Sequence, residues 1–125
     1  MQLKAEHLQK GEDAEKACSD YLGKQGLKLV EQNFRCRQGE IDLIMLDKSM
    51  LVFVEVRLRN SNTFGGGLES VTPAKQNRLR RTAELYLQQN VRYKNARFDV
   101  VSMTKNNQTN DNSQQYSFDW ISNAF

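Results

Sequence analysis

Histidine, proline and cysteine are nearly missing from this sequence of 125 residues, which holds one His, one Pro and two Cys. A single His7 gives a His-based triad or a His-rich metal cage nothing to build from. Cys18 and Cys36 lack C-x-x-C spacing, which argues against a zinc site or a dithiol redox motif and reads them as reduced packing residues. No apolar run approaches the ~20 residues of a membrane span. Residues 1–22 hold no secretory h-region, so a cytoplasmic protein without membrane contact is expected. Neither G-x-x-x-x-G-K-[ST] nor G-x-G-x-x-G occurs, and a nucleotide-binding loop is not indicated. Charge is only slightly unbalanced, 18 Lys and Arg against 15 Asp and Glu for a net +3. That excess permits a nucleic-acid partner without arguing for one.

What is present is enough for one modest core. Hydrophobic residues make up 38% of the chain, and the mean hydropathy is −0.72. Residues 1–125 therefore read as one domain. Ala14, Ala17, Cys18, Tyr21 and Leu22 form a stripe at helical spacing, predicting a helix over 5–24 that Gly26 stops. Leu27 to Phe34 is a strand candidate, and 35–39 a polar connection. The runs EIDLIML (40–46) and LVFVEVRL (51–58) flank a short polar gap and read as an antiparallel hairpin. Residues 60–71, with Gly65, Gly66 and Gly67, read as a flexible loop. Thr72 then acts as N-cap and Pro73 as first residue of a helix to about Gln89. Phe98 to Met103 is a further strand, 104–115 a mobile polar loop, and Tyr116 to Ile121 a last strand. This order suggests a mixed sheet flanked by helices, an α/β fold.

The hairpin carries the chemistry. A register in which opposed residues sum to 97 sets Leu46 against Leu51, Ile44 against Phe53, Asp42 against Glu55 and Glu40 against Arg57. The other face pairs Met45 with Val52, Leu43 with Val54 and Ile41 with Val56. A one-residue slip would mix polar and apolar faces. Asp42 and Glu55 thus come side by side, with Cβ atoms about 4.5–5.5 Å apart, where like charges are destabilising. A bridging cation or a retained proton would relieve them. Two carboxylates with a nearby main-chain carbonyl, such as that of Val56, suit Mg²⁺ or Mn²⁺. The same spacing is met by a plain hairpin in which Glu55 pairs with Arg57 or Arg59.

Two outlying residues bear on that choice. Glu15 lies at the border of the first helix's stripe, about 20° from Leu22 on a helical wheel, and could reach the sheet edge as a further acidic ligand. Gly11 falls inside the stripe, where close approach is expected. Lys75 shares a face with Leu79, Thr82 and Tyr86, in a first turn whose dipole disfavours a cation. Anionic groups in front of it would explain that placement; a packed stem with a snorkelling amine is the alternative. Arg78 and Arg81 point elsewhere on the helix and could touch phosphates, as could Arg59.

The pattern D42-x12-E55-x-R57 resembles the PD-(D/E)xK nuclease superfamily. More closely, the chain is similar to the YraN family of uncharacterised bacterial proteins. The matching stretches are G11-E-D-A-E15-K-A-C-S-D-Y-L22, N33-F-R-C-R-Q-G-E-I-D-L-I44, F53-V-E-V-R-L-R59, V71-T-P-A-K75 and R97-F-D-V-V101. The K10-G11-x3-E15 pattern resembles that of archaeal Holliday-junction resolvases. The resemblance implies a restriction-endonuclease-like αβββαβ core. It also implies Glu15, Asp42 and Glu55 as ligands of Mg²⁺ or Mn²⁺, with Asp42, Glu55, Arg57 and Lys75 catalytic. The implied activity is phosphodiester hydrolysis in structured or branched nucleic acid, DNA rather than RNA, and a resolvase would work as a homodimer. One departure stands out: the motif ends in Lys, and here that position is Arg57, which cannot give up its proton. A nucleic-acid-binding module with weak or no turnover is the alternative on the same fold.

Overall fold

A computed structural model describes residues 2–59, 68–106 and 116–125, with side chains described from Gly11 onward. The glycine run 65–67, most of the expected loop at 104–115, and the His7 side chain lie outside the described residues. The elements are α1 (Gln2–Lys24), β1 (Lys28–Cys36), β2 (Gly39–Asp47), β3 (Met50–Arg59), α2 (Pro73–Gln89), β4 (Ala96–Lys105) and β5 (Tyr116–Ile121). A short 3-10 turn at Leu68–Ser70 leads into α2.

The strands form one five-stranded sheet in sequential order, β1 to β5. The β3–β4 pair is parallel, with α2 as its crossover, and the other neighbours are antiparallel. The αβββαβ order expected from the sequence is therefore the order of the fold. The first four strands run one to four residues longer than expected, because ladder pairing continues into flanking polar residues, while β5 keeps its expected bounds.

The helices cover opposite faces. Ala14, Cys18 and Leu22 of α1 pack on Leu43, Met45, Val52 and Val54. Leu79, Ala83 and Tyr86 of α2 pack on Ile41, Ile44, Leu51 and Phe53. Phe53 lies edge-on to the Tyr86 ring, centroids 6.0 Å apart, and 5.4 Å from Phe98. Gly11 does not allow the close approach expected of it, since nothing lies within 4 Å of where its Cβ would stand. Among the described residues no helix is long and apolar enough to cross a membrane.

The hairpin register is the one whose residue numbers sum to 97, from Leu43↔Val54 to Asp47↔Met50. It departs from expectation at one end. Ile41 does not share a face with Leu43 but joins Ile44 in the α2 core. The reason is that β2 leaves β3 beyond Leu43 while staying paired with β1, Ile41 opposite Phe34 and Glu40 opposite Arg35. The sheet forks at Asp42.

Candidate active site

At the fork, a side chain takes over from the main-chain ladder. The Val56 N–H donates to Asp42 Oδ2 at 2.8 Å. The main chain of Val56 thus meets Asp42 through its N–H, not through the carbonyl considered from the sequence. Glu55, one residue earlier on β3, is 6% exposed, and its carboxyl is close enough to Asp42 to share a hydrogen bond. Burial first, and then the charge of Glu55, push the Asp42 carboxyl from 3.8 up to about 8, against the opposing pull of the Val56 N–H. The two acids thus form a coupled pair at a site that disfavours two negative charges.

Lys75 supplies the nearest described cation. Its Nζ lies 3.4 Å from Glu55 Oε1. The start of α2 fixes it: Thr72 is extended, its hydroxyl accepts the Lys75 N–H at 3.2 Å, and Pro73 occupies the first turn. A lysine at a helix start opposes the dipole, and the carboxylate in front of it supplies the compensation.

Arg57 is placed differently. Its Nη2 donates to the Ser70 carbonyl at 3.4 Å, while its Nε stands 4.0 Å from Glu55 Oε1. That Nε is buried and lacks a hydrogen-bond partner among the described residues. The guanidinium backs Glu55 and ties β3 to the turn preceding α2. It does not line the cavity in front of the acids.

The cavity has a volume of ≈ 250 Å³. Asp42, Glu55 and Lys75 line it together with Arg78 and Leu79 of α2 and Gln38, Gly39 and Glu40 of the β1–β2 turn. Arg78 therefore does not point elsewhere, as its helical position suggested, but joins the cavity wall. Arg81 is exposed one turn further on, and Arg59 sits at the end of β3 opposite Thr104 of β4. The turn reaches α2 because residue 39 is glycine: a Cβ there would stand 3.2 Å from Thr82 Oγ1. Gln38, Gly39 and Glu40 were not singled out from the sequence; the adjacent glycine in R-Q-G-E was the available signal.

Glu15 stands apart from the pair. Asn33 hydrogen-bonds its carboxylate, and burial raises its pKa by more than that bond lowers it. It is near enough for its charge to be felt at Asp42. Among the described residues, no three His, Cys, Asp or Glu side chains gather closely enough to hold one metal ion. Two oxygen donors remain, Asp42 and Glu55. This set fits Mg²⁺ or Mn²⁺, hard ions usually bound through one or two carboxylates plus waters and substrate phosphates. Cys18 is fully buried, its thiol pushed up to about 12 by burial, which agrees with a packing role.

The profile of the uncharacterised protein family UPF0102 matches residues 14–103. The chain is 45% identical over 121 residues to a UPF0102 protein of Ectopseudomonas mendocina, covering 95% of this chain and 96% of that one. It is 50% identical over 102 residues to a UPF0102 protein of Nitrosococcus oceani, covering 80% and 82%. A UPF0102 protein of Alcanivorax borkumensis matches at 46% over 117 residues, covering 92% and 90%.

Proposed function

The chain belongs to the UPF0102 family, and we propose that it is a metal-dependent nuclease that hydrolyses phosphodiester bonds in structured or branched DNA. The observation that carries the reading is the acid pair. Asp42 and Glu55 meet at a fork in the sheet, beside a cavity, with Lys75 in front of them. A fold has no packing reason to oppose two largely desolvated carboxylates there.

Mg²⁺ or Mn²⁺ held by Asp42 and Glu55 would supply a water of lowered pKa and Lewis-acid polarisation of a phosphoryl oxygen. The chain's own residues do the rest. Lys75 leaves Glu55 for a phosphate oxygen and offsets the negative charge that grows as the phosphorus is attacked. Glu55 keeps its place because Arg57 stands behind it. Glu15, hydrogen-bonded to Asn33, acts on the site through its charge, which is felt at Asp42. A symmetric cut across a branched junction would bring two copies of the chain together.

A non-cleaving nucleic-acid-binding module is the second reading, and Arg57 favours it. It stays protonated at any working pH and is turned onto the Ser70 carbonyl, so the motif position offers no proton acceptor. Incubation with labelled branched, flapped and single-stranded DNA decides between the two. The nuclease reading expects cleavage in Mn²⁺, abolished in EDTA and in Asp42→Ala. Binding without cleavage in Mn²⁺ leaves the second reading, and equal cleavage by Asp42→Ala refutes the assigned site.

A further inference from the structure

We infer that the polynucleotide backbone runs over the β1–β2 turn and along α2, held through its phosphates by Arg37, Arg78 and Arg81. This rests on the nuclease reading for the chemistry of the ligand, but not for any turnover.

Three observations converge. First, the turn and the helix make one continuous wall. Gly39 follows the turn residues Arg37 and Gln38, and a Cβ at Gly39 would stand 3.9 Å from Arg78 Cβ. Second, these cations are uncompensated. Arg37, Arg78 and Arg81 are exposed, and among the described residues no carboxylate pairs with any of them. Neighbouring arginines are committed elsewhere. Arg35 pairs with Glu40 at 3.4 Å, Arg97 with Asp47 and Asp99 at 3.0 Å each, and Arg80 lies over the Phe125 ring at 5.4 Å. Third, the row of unpaired cations reaches the cavity that ends in the acid pair: Arg78 lines it, Gln38 beside Arg37 lines it too, and Arg81 continues from Arg78 along α2. Uncompensated cations around an acidic floor suit a polyanion whose flanking phosphates sit on the rim while one reaches the floor. Arg78 and Arg81 are three residues apart on α2, about 5–6 Å between Cβ atoms, which lets one strand engage both.

The path also fixes what is read. Among the described residues, none that lines the cavity is aromatic, so they offer no base-stacking platform there. Arginines held at phosphates position a strand without reading its sequence. Binding is therefore set by charge and backbone, independent of base composition.

The test is fluorescence anisotropy with a fluorescein-labelled single-stranded oligonucleotide in EDTA, titrated across salt concentrations. Arg37→Ala, Arg78→Ala and Arg81→Ala should each weaken binding severalfold. Each should take about 0.7 from the slope of log K against log salt, one phosphate contact on a single strand. Arg80→Ala and Lys94→Ala, beside Phe125 and beyond the end of α2, should bind like the wild type. The inference is overturned if the three rim variants bind like the wild type, or if the two controls lose as much. It is also overturned if poly-glutamate displaces the labelled strand as well as unlabelled DNA does, or if the wild type binds nothing at low salt. A protein that binds, loses binding with the rim variants and cleaves nothing in Mn²⁺ keeps this inference and refutes the nuclease reading.

Discussion

Replacing Asp42 by Asn should stabilise the metal-free protein, and by an amount that depends on pH. In the fold this carboxyl keeps its proton up to about 8, whereas in the unfolded chain it releases it near 3.8. Between those values the native state binds one more proton than the unfolded state. Wild-type stability therefore falls as pH rises through the window, by up to about 1.4 kcal/mol per unit, and levels off above it. The amide introduced by Asp42→Asn would not titrate. Its carbonyl oxygen can accept the Val56 N–H that Asp42 accepts at 2.8 Å, and its NH₂ can donate to Glu55 as a protonated Asp would. The advantage of Asp42→Asn should thus grow between pH 5 and pH 7 by about 2–3 kcal/mol. For a domain of this size, that is a relative gain in Tm of roughly 10 °C. Groups outside the pair titrate alike in both proteins, so the difference between their melting curves isolates the coupled acids. Mn²⁺ should reverse the order. An ion that binds only the folded wild type adds about 2.7 kcal/mol at a hundred times its Kd, and the variant gains little. A difference in Tm that stays flat with pH would refute the strained acid pair, and equal stabilisation of both proteins by Mn²⁺ would refute its use as a metal site.

Lys75→Met leaves Glu55 facing Asp42 without its nearer cation, with Arg57 alone behind it. It should lower stability by about 1–3 kcal/mol in denaturant titrations, and Mn²⁺ should raise its Tm more than that of the wild type, since Lys75 no longer competes for Glu55. Thr72→Ala removes the acceptor of the Lys75 N–H and should cost about 1 kcal/mol by the same measurement. Asp99 is fully buried and accepts from Arg97, the Trp120 Nε1–H and the Asn123 N–H. Asp99→Ala strands these donors and should cost about 3–5 kcal/mol, without changing the Mn²⁺ dependence of whatever protein remains folded.

Much of this arrangement is legible in the residues. Period-2 alternation in EIDLIML and LVFVEVRL sets the hairpin register, because one slip would bury Asp42 against apolar partners. Thr72-Pro73 sets the start of α2, since an N-cap hydroxyl and a ring-fixed φ agree there. Both are local signals, and both hold. What alternation does not encode is the fork. Ile41 changes face because β2 follows β1 rather than β3, a competition between two neighbours that no single strand's pattern records. Arg57 stays beside Glu55, where alternation puts it, with its Nε 4.0 Å from Oε1; what alternation does not record is that the Ser70 carbonyl, thirteen residues on, takes its Nη2. Arg78 reaches the cavity only because Gly39 lets the β1–β2 turn touch α2.

The fork explains how two acids can be kept at one point of a sheet. An antiparallel ladder continued to Asp42 and Glu55 would hold both side chains at fixed spacing with no relief for their repulsion. Letting β2 depart frees the Val56 N–H, and Asp42 supplies its acceptor, so a backbone donor that would otherwise be lost is satisfied by the functional side chain itself. The departure also opens the cavity into which Lys75 projects. A substitution that zips the strands together should therefore stabilise the fold and close the site in one step. Asp42→Val is that substitution. It can extend the β-branched packing of the hairpin, but it leaves the Val56 N–H to find the main chain of β2. If the fork exists to serve the acids, hydrogen exchange at Val56 should slow in Asp42→Val as main-chain pairing replaces the side-chain acceptor, and Mn²⁺ should no longer raise the Tm. If Val56 instead exchanges faster and the cavity persists, the fork is dictated by the β1–β2 pairing alone, and the acids merely occupy it.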